Sequence, residues 1–198
     1  MAPATHTFLF ADLVGFTALT EERGDEAAAD LACRFAHEAA RMADEHGVDV
    51  VKSLGDAVMI RADDADEAIR LGLRLSSDLR ALDGFPPVHA GAHTGVAVER
   101  GGDWFGAAVN LAARVSGAAR GGELLLTEAT LAAAGRLAHI EFEELGPQLF
   151  KNIANPTSVY AARRRQRGAQ RTQRGALRLV PPALRPAAAT AALSRAGS

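Results

Sequence analysis

The chain has 198 residues, enough for one domain with a real hydrophobic core and a tail, so no second folded domain is required. Its 48% hydrophobic and 23% charged residues are those of a globular protein, and no apolar run approaches the ~20 residues that span a bilayer. The net charge of −2 hides an asymmetry: residues 163–198 hold nine arginines and no acid, leaving 13 basic against 24 acidic residues, net −11, in 1–162.

Residues 7–11 (TFLFA) form an apolar run of strand length that ends at Asp12, too short for a signal peptide, and a cytoplasmic location is expected. The following LVGFT is a tight turn and helix start. A helical pattern runs from Thr17 to His46, interrupted near Gly24, with Leu31, Phe35, Ala39 and Met42 at helical spacing and Gly47 as its stop. The only cysteine, Cys33, lies in this stretch and is expected to be a small buried thiol. VDVVKSLGDAVMIR then reads as a β-hairpin with Gly55 in the turn and Asp56 at the tip.

Residues 64–82 predict a second amphipathic helix, with Ala68, Ile69, Leu75, Leu79 and Leu82 on one face, closed by Pro86 and Pro87. VHAGAHTGVAV (88–98) reads as a glycine-punctuated strand pair, and 106–119 as a helix rich in small residues. A strand at 123–127, a short helix to about 135, and strands near 140–145 and 157–162 complete the order. That order predicts an α+β sandwich of ferredoxin-like type, a largely antiparallel sheet with helices covering one face. The expected domain is 1–162. Residues 163–198, rich in Arg, Pro and Ala, have the composition of a disordered tail, expected to be solubilising or weakly associating with anionic surfaces, with no specific nucleic-acid binding.

An acidic domain that binds a polyanion needs metal cations and a few placed basic groups. Asp12 at a strand end and Asp56 at a hairpin tip, with the carbonyl of Leu13, offer hard oxygens suited to Mg²⁺ or Mn²⁺. The backbone of Leu13, Val14, Gly15, Phe16 and Thr17 opens a helix and suits a triphosphate. Lys52, four residues before Asp56, is expected on the same side of the hairpin. Asn110 and Arg114 are spaced i, i+4 on one helix face, just after Asp103. Taken singly, each has a bland reading: a turn aspartate, a solvated lysine, a polar helix face.

FADLVGFT, VVKSLGDAVM, GDWFGAAVNLAAR and FKNIANP resemble, in the same order, the signatures of class III adenylate and guanylate cyclase catalytic domains, over roughly residues 6–162. The short stretch from Gly95 to Asp103 and the DWFG wording are most similar to the bacterial subclass IIIc. The resemblance implies an adenylate cyclase that turns ATP into 3′,5′-cyclic AMP and pyrophosphate with two divalent ions, Mg²⁺ or Mn²⁺. It implies Asp12 and Asp56 on the metals, Lys52 and Asp103 on the base, Asn110 on the ribose and Arg114 on the reacting phosphate. It implies sites shared across a homodimer, and Lys151 reaching the phosphates.

Rival readings are a regulatory cyclase-like domain that binds nucleotide or a partner without turnover, and a guanylate or diguanylate cyclase, the last because GGDWF (101–105) is similar to the GGDEF signature. In the latter, Asp103 would bind metal and GTP would be the substrate. The six histidines are scattered, and His93 is expected to satisfy a strand environment. Trp104 and Phe105 are expected in the core or at the dimer contact.

Overall fold

The computed structural model describes residues 4–82 and 84–165. The tail expected from composition lies outside the described residues from 166 onward. Element order is β1 (Ala4–Leu13), α1 (Phe16–Arg23), α2 (Asp25–His46), β2 (Asp49–Ser53), β3 (Ala57–Ala62), α3 (Ala65–Ser77), β4 (Val88–Arg100), β5 (Asp103–Phe105), α4 (Ala107–Ser116), β6 (Leu124–Thr127), α5 (Glu128–Ala134), β7 (Ile140–Gln148) and β8 (Thr157–Arg164). The sheet runs β2-β3-β1-β4-β6-β8-β7, with β5 folded back on β4, and every pairing is antiparallel except β4 with β6. This is the expected α+β sandwich with a largely antiparallel sheet.

Strand alternation splits β1 between two cores. Leu9, Ala11 and Leu13 join Phe35, Met42, Ile69 and Leu75 of α2 and α3 on one face. Phe8 joins Met59, Val109 and Ala112 on the other, where α4 packs. Helices therefore cover both faces, not the one expected, because β1 and β4 are central strands buried from both sides. The long α2 stops where Gly47 turns left-handed (φ 63°), as expected.

The strand pair expected at 88–98 is one continuous strand, β4, whose glycines serve packing instead of a turn. Gly91 and Gly95 share the face under α4. A Cβ on Gly91 would lie 2.0 Å from the Ser116 amide nitrogen, and one on Gly95 2.9 Å from the Ala108 Cβ. The hairpin turn comes later, at Gly101 and Gly102, whose φ values of 62° and 79° suit a two-residue primed turn. The resulting β5 was not expected from the sequence, because three residues are too few for a periodic signal.

Other expectations are corrected by solvent contact. Helix α3, capped by the Asp64 carboxylate accepting from the Asp66 amide, ends at Ser77, and a 3₁₀ turn (Leu79–Ala81) leaves Leu82 exposed. Cys33 is exposed, because it falls off the Leu31, Phe35, Ala39 stripe of α2. Trp104 and Phe105 are not among these corrections: Trp104 packs edge-on to His6 (centroids 4.5 Å apart) and near Phe8, in the core as expected, and Phe105 is 55% exposed, which leaves the dimer-contact expectation open. Strand β8 runs two residues past the expected boundary: Arg163 pairs with Glu143, Arg164 with Asp78 and Arg165 with Glu141. Among the described residues, no helix is long and apolar enough to cross a membrane.

Gly91→Ala is expected to lower stability by about 3 kcal/mol, because backbone of α4 must retreat from β4. A urea titration reads this directly; an unchanged midpoint would show that α4 is not seated on β4 as described.

Candidate active site

The antiparallel pairing of β1 with β3 sets Asp12 opposite Ala57, one residue past Asp56. The Leu13 amide donates to the Asp56 carbonyl at 3.1 Å, locking the strand end to the hairpin turn, where Gly55 takes φ 75°. Two carboxylates are thereby forced together. Asp12 is pushed up to about 6, first by burial and then by the charge of Asp56. Its Oδ1 is buried with no hydrogen-bond partner among the described residues. A buried, unpartnered carboxylate oxygen beside a second carboxylate costs free energy, and a hard cation removes that cost. The donor set fits a divalent ion.

Histidine 89, which the sequence left among scattered histidines, faces Asp12 across β1 and β4, with Nε2 3.7 Å from Oδ2. Burial holds its pKa below the ordinary histidine value, so the imidazole adds no full charge at neutral pH. Register alone could have found it, since strand pairing decides which histidine meets the acid. His93 behaves as expected, its Nδ1 bonded to the Thr127 hydroxyl at 2.8 Å.

The turn after Asp12 supplies fewer free amides than the sequence suggested. Leu13 N is spent on Asp56, and Val14 N donates to the Pro87 carbonyl at 2.8 Å. Gly15 caps α1 in a left-handed conformation (φ 75°) with no side-chain cap, so the amides of Phe16 and Thr17 have no intrahelical partner.

Among the described residues no hydrogen bond or ion pair joins Lys52 to Asp56, and β2 is bulged between Val50 and Lys52 and ends at Ser53. Instead Lys52 Nζ donates to Asp103 Oδ2 at 2.5 Å. Asp103 Oδ1 accepts from the Trp104 amide at 2.8 Å. Lys52, followed by that amide, holds the Asp103 carboxyl below the usual range. The Gly-Gly of GGDWF is thus a hairpin turn that presents Asp103 to Lys52, and Asp103 takes no part in the Asp12–Asp56 pair.

On α4, Val109, Ala112 and Val115 face the sheet, which leaves Asn110 and Arg114 exposed on the outer side. No hydrogen bond or ion pair joins them to Asp12, Asp56, Lys52 or Asp103 among the described residues. Lys151 is exposed in the β7–β8 connection, next to Phe150, which packs with Leu111 and Val115 of α4. The structure therefore assembles two pairs, Asp12–Asp56 and Lys52–Asp103, and keeps Asn110, Arg114 and Lys151 apart from them.

No protein-family model matches the chain. The pH-sensitive adenylate cyclase MT1302 of Mycobacterium tuberculosis is 37% identical over 161 residues, 80% of this chain and 40% of that protein. The adenylyl cyclase CyaB of P. aeruginosa superposes with a TM-score of 0.72 at 25% identity, over 86% of this chain and 100% of that one. The chain belongs to the class III nucleotidyl cyclase family. It spans two fifths of the mycobacterial relative. The fold of this cyclase domain is also that of the guanylate cyclase domain of RhGC from Catenaria anguillulae, solved with GTP (TM-score 0.70, 18% identity, 82% of this chain and 97% of that one). Fold alone does not choose the base.

A raised carboxylate pKa has a definite sign: the folded state keeps the proton between about 4 and about 6, so the stability contributed by this site falls as pH rises through that window. Asp12→Asn is expected to stabilise the metal-free protein by about 1 kcal/mol near pH 7 after allowing for solvent screening, and by less near pH 5. Urea midpoints at the two pH values check it; a variant no more stable than wild type would contradict it.

Proposed function

We propose that this domain is an adenylate cyclase, converting ATP to 3′,5′-cyclic AMP and pyrophosphate at sites shared between two copies of the chain. The observation that carries the choice of ATP is the Lys52–Asp103 contact. It sets an ammonium donor beside a carboxylate acceptor, complementary to adenine N1 and N6. Guanine presents O6 and N1–H in the reverse sense, so it would leave both groups mismatched.

Asp12, Asp56 and the Leu13 carbonyl hold two divalent ions, Mg²⁺ or Mn²⁺. Bound there, these supply Lewis-acid chemistry that lowers the pKa of the 3′-hydroxyl and neutralises phosphate charge. The backbone of Val14, Gly15, Phe16 and Thr17 receives the triphosphate, with the amides of Phe16 and Thr17 as donors. Asn110 orients the ribose for in-line attack on the α-phosphorus, a proximity role. Arg114 places its fixed fork of donors on the equatorial oxygens as charge grows there, and Lys151 adds a cation toward the leaving pyrophosphate.

The division between two subunits has two supports. Asn110 and Arg114 point away from the sheet that carries the acids, so one chain does not bring them to a common substrate. Val14 and Leu54 beside the acids, and Val96 and Phe105 on the β4–β5 hairpin, are large apolar side chains left exposed. Burying them in a homodimer removes them from water.

Purified protein is expected to cyclise ATP in the presence of Mg²⁺ or Mn²⁺ and to use GTP at least about tenfold less well. Equal rates with the two nucleotides would refute the base assignment. Asp12→Ala and Arg114→Ala are each expected to lower turnover by about 100-fold or more. Mixing the two variants should restore part of the activity through one intact composite site; no recovery in demonstrated heterodimers would rule out shared sites.

A further inference from the structure

A cavity of about 340 Å³ lies away from both pairs described above, where the end of α2, the body of α3, the start of β7 and the end of β8 converge. Its floor is Leu73, Ala138 and Ile140, and Leu73 and Ile140 belong to the core on the α2–α3 face, opposite Asp12 and α4. Its walls are Arg70, Arg74, Arg164, Arg165, His46 and His139, and among the described residues no acid lines it. The volume falls in the range of about 300–1,000 Å³ usual for small-molecule sites.

The arginines are held in place from outside. Arg70 pairs with Asp66 at 2.6 Å, Arg74 with Glu45 at 2.6 Å, Arg164 with Asp78 at 2.9 Å and Arg165 with Glu141 at 3.0 Å, and none of these carboxylates lines the cavity. A guanidinium carries five N–H donors in a rigid fork. Arg165 gives only Nε to Glu141, and Arg74 gives Nη1 to Glu45 and to His46 Nε2 at 3.2 Å with Nε 3.8 Å from Asp78 Oδ2, so Arg165 keeps both Nη groups and Arg74 its Nη2 without a partner among the described residues. His46 is steered in turn by Glu67, 2.7 Å from Nδ1. The His139 carbonyl accepts from the Arg165 amide at 2.8 Å, and its φ of 68° turns the chain at the cavity mouth.

We infer that this cavity is a second ligand site, for a small organic anion with a phosphate or carboxylate head and an apolar body. The open donors of Arg74 and Arg165 take the oxyanion, Arg164 and Arg70 being spent on Asp78 and Asp66, and Leu73, Ala138 and Ile140 take the body. An ion-pair network that served stability alone has no need to enclose an apolar floor or to keep its carboxylates out of the concavity. The site is independent of whether the domain cyclises nucleotides, and its position behind the sheet suits an effector instead of a substrate.

The test is titration of the full chain with phenyl phosphate, benzoate and inorganic phosphate up to about 10 mM, followed by methyl and amide NMR shifts. Saturable binding of phenyl phosphate is expected, with shifts at Leu73, Ala138 and Ile140 and not at Leu111 or Val115, and weaker binding of inorganic phosphate. Arg165→Gln, on an exposed side chain that can still donate to Glu141, is expected to weaken binding by about tenfold or more while shifting the melting temperature of the free protein by no more than about 2 °C. His139→Gly, which keeps the left-handed backbone, is expected to weaken it with the fold intact. The inference is overturned if neither organic anion saturates, if the shifts map to α4, if both variants bind like wild type, or if inorganic phosphate binds as tightly as phenyl phosphate.

Discussion

The close seating of α4 on β4 is the contact on which the rest of the domain depends. It exists because Gly91 and Gly95 have no side chains. At Gly91 the helix backbone occupies the volume a Cβ would need, 2.0 Å from the Ser116 nitrogen. With α4 lying that low, Val115 reaches Leu125, Val159 and Ala161, and Val109 and Ala112 reach Phe8 and Met59, so the second face of the sheet is closed by small residues. The same seating rotates Asn110 and Arg114 outward. A bulkier strand would lift the helix and lose both the packing and the direction of those side chains.

The other constraint is electrostatic. Backbone pairing brings Asp12 and Asp56 together, and no side chain among the described residues neutralises them. His89, the nearest basic group recorded for Asp12, is itself held below its ordinary pKa by burial. The metal-free chain carries a local repulsion that the rest of the packing sustains, a pattern met where function and stability pull apart. Lys52 and Asp103 show the opposite arrangement, a satisfied pair set between β2 and the β4–β5 hairpin. One pair is short of opposite charge; the other is complete within the chain.

Much was legible in the sequence because it rested on local chemistry. The period of α2, its glycine stop at Gly47, the hairpin turn at Gly55 and the Asp64-led start of α3 depend on neighbours within a turn or two. Asp12 and Asp56 stood out because each sits at an element end beside a glycine turn. What was missed depended on partners far along the chain. The glycines of VHAGAH looked like turn punctuation because their real reason, the backbone of α4, lies about two dozen residues away. Cys33 and Leu82 were assigned to buried faces by composition and spacing, whereas burial is decided by which side of a helix meets the sheet.

The sequence by itself determined the α+β order, the two acids at element ends and the helix that carries Asn110 and Arg114, since motif order and short-range periodicity are written in the chain. Only the tertiary structure decided that helices lie on both faces, that His89 meets Asp12, that Lys52 meets Asp103 and not Asp56, and that a basic cavity forms behind the sheet. The physical reason is register: strand pairing and helix seating choose among side chains that are equivalent in sequence, and that choice is made by the whole fold at once.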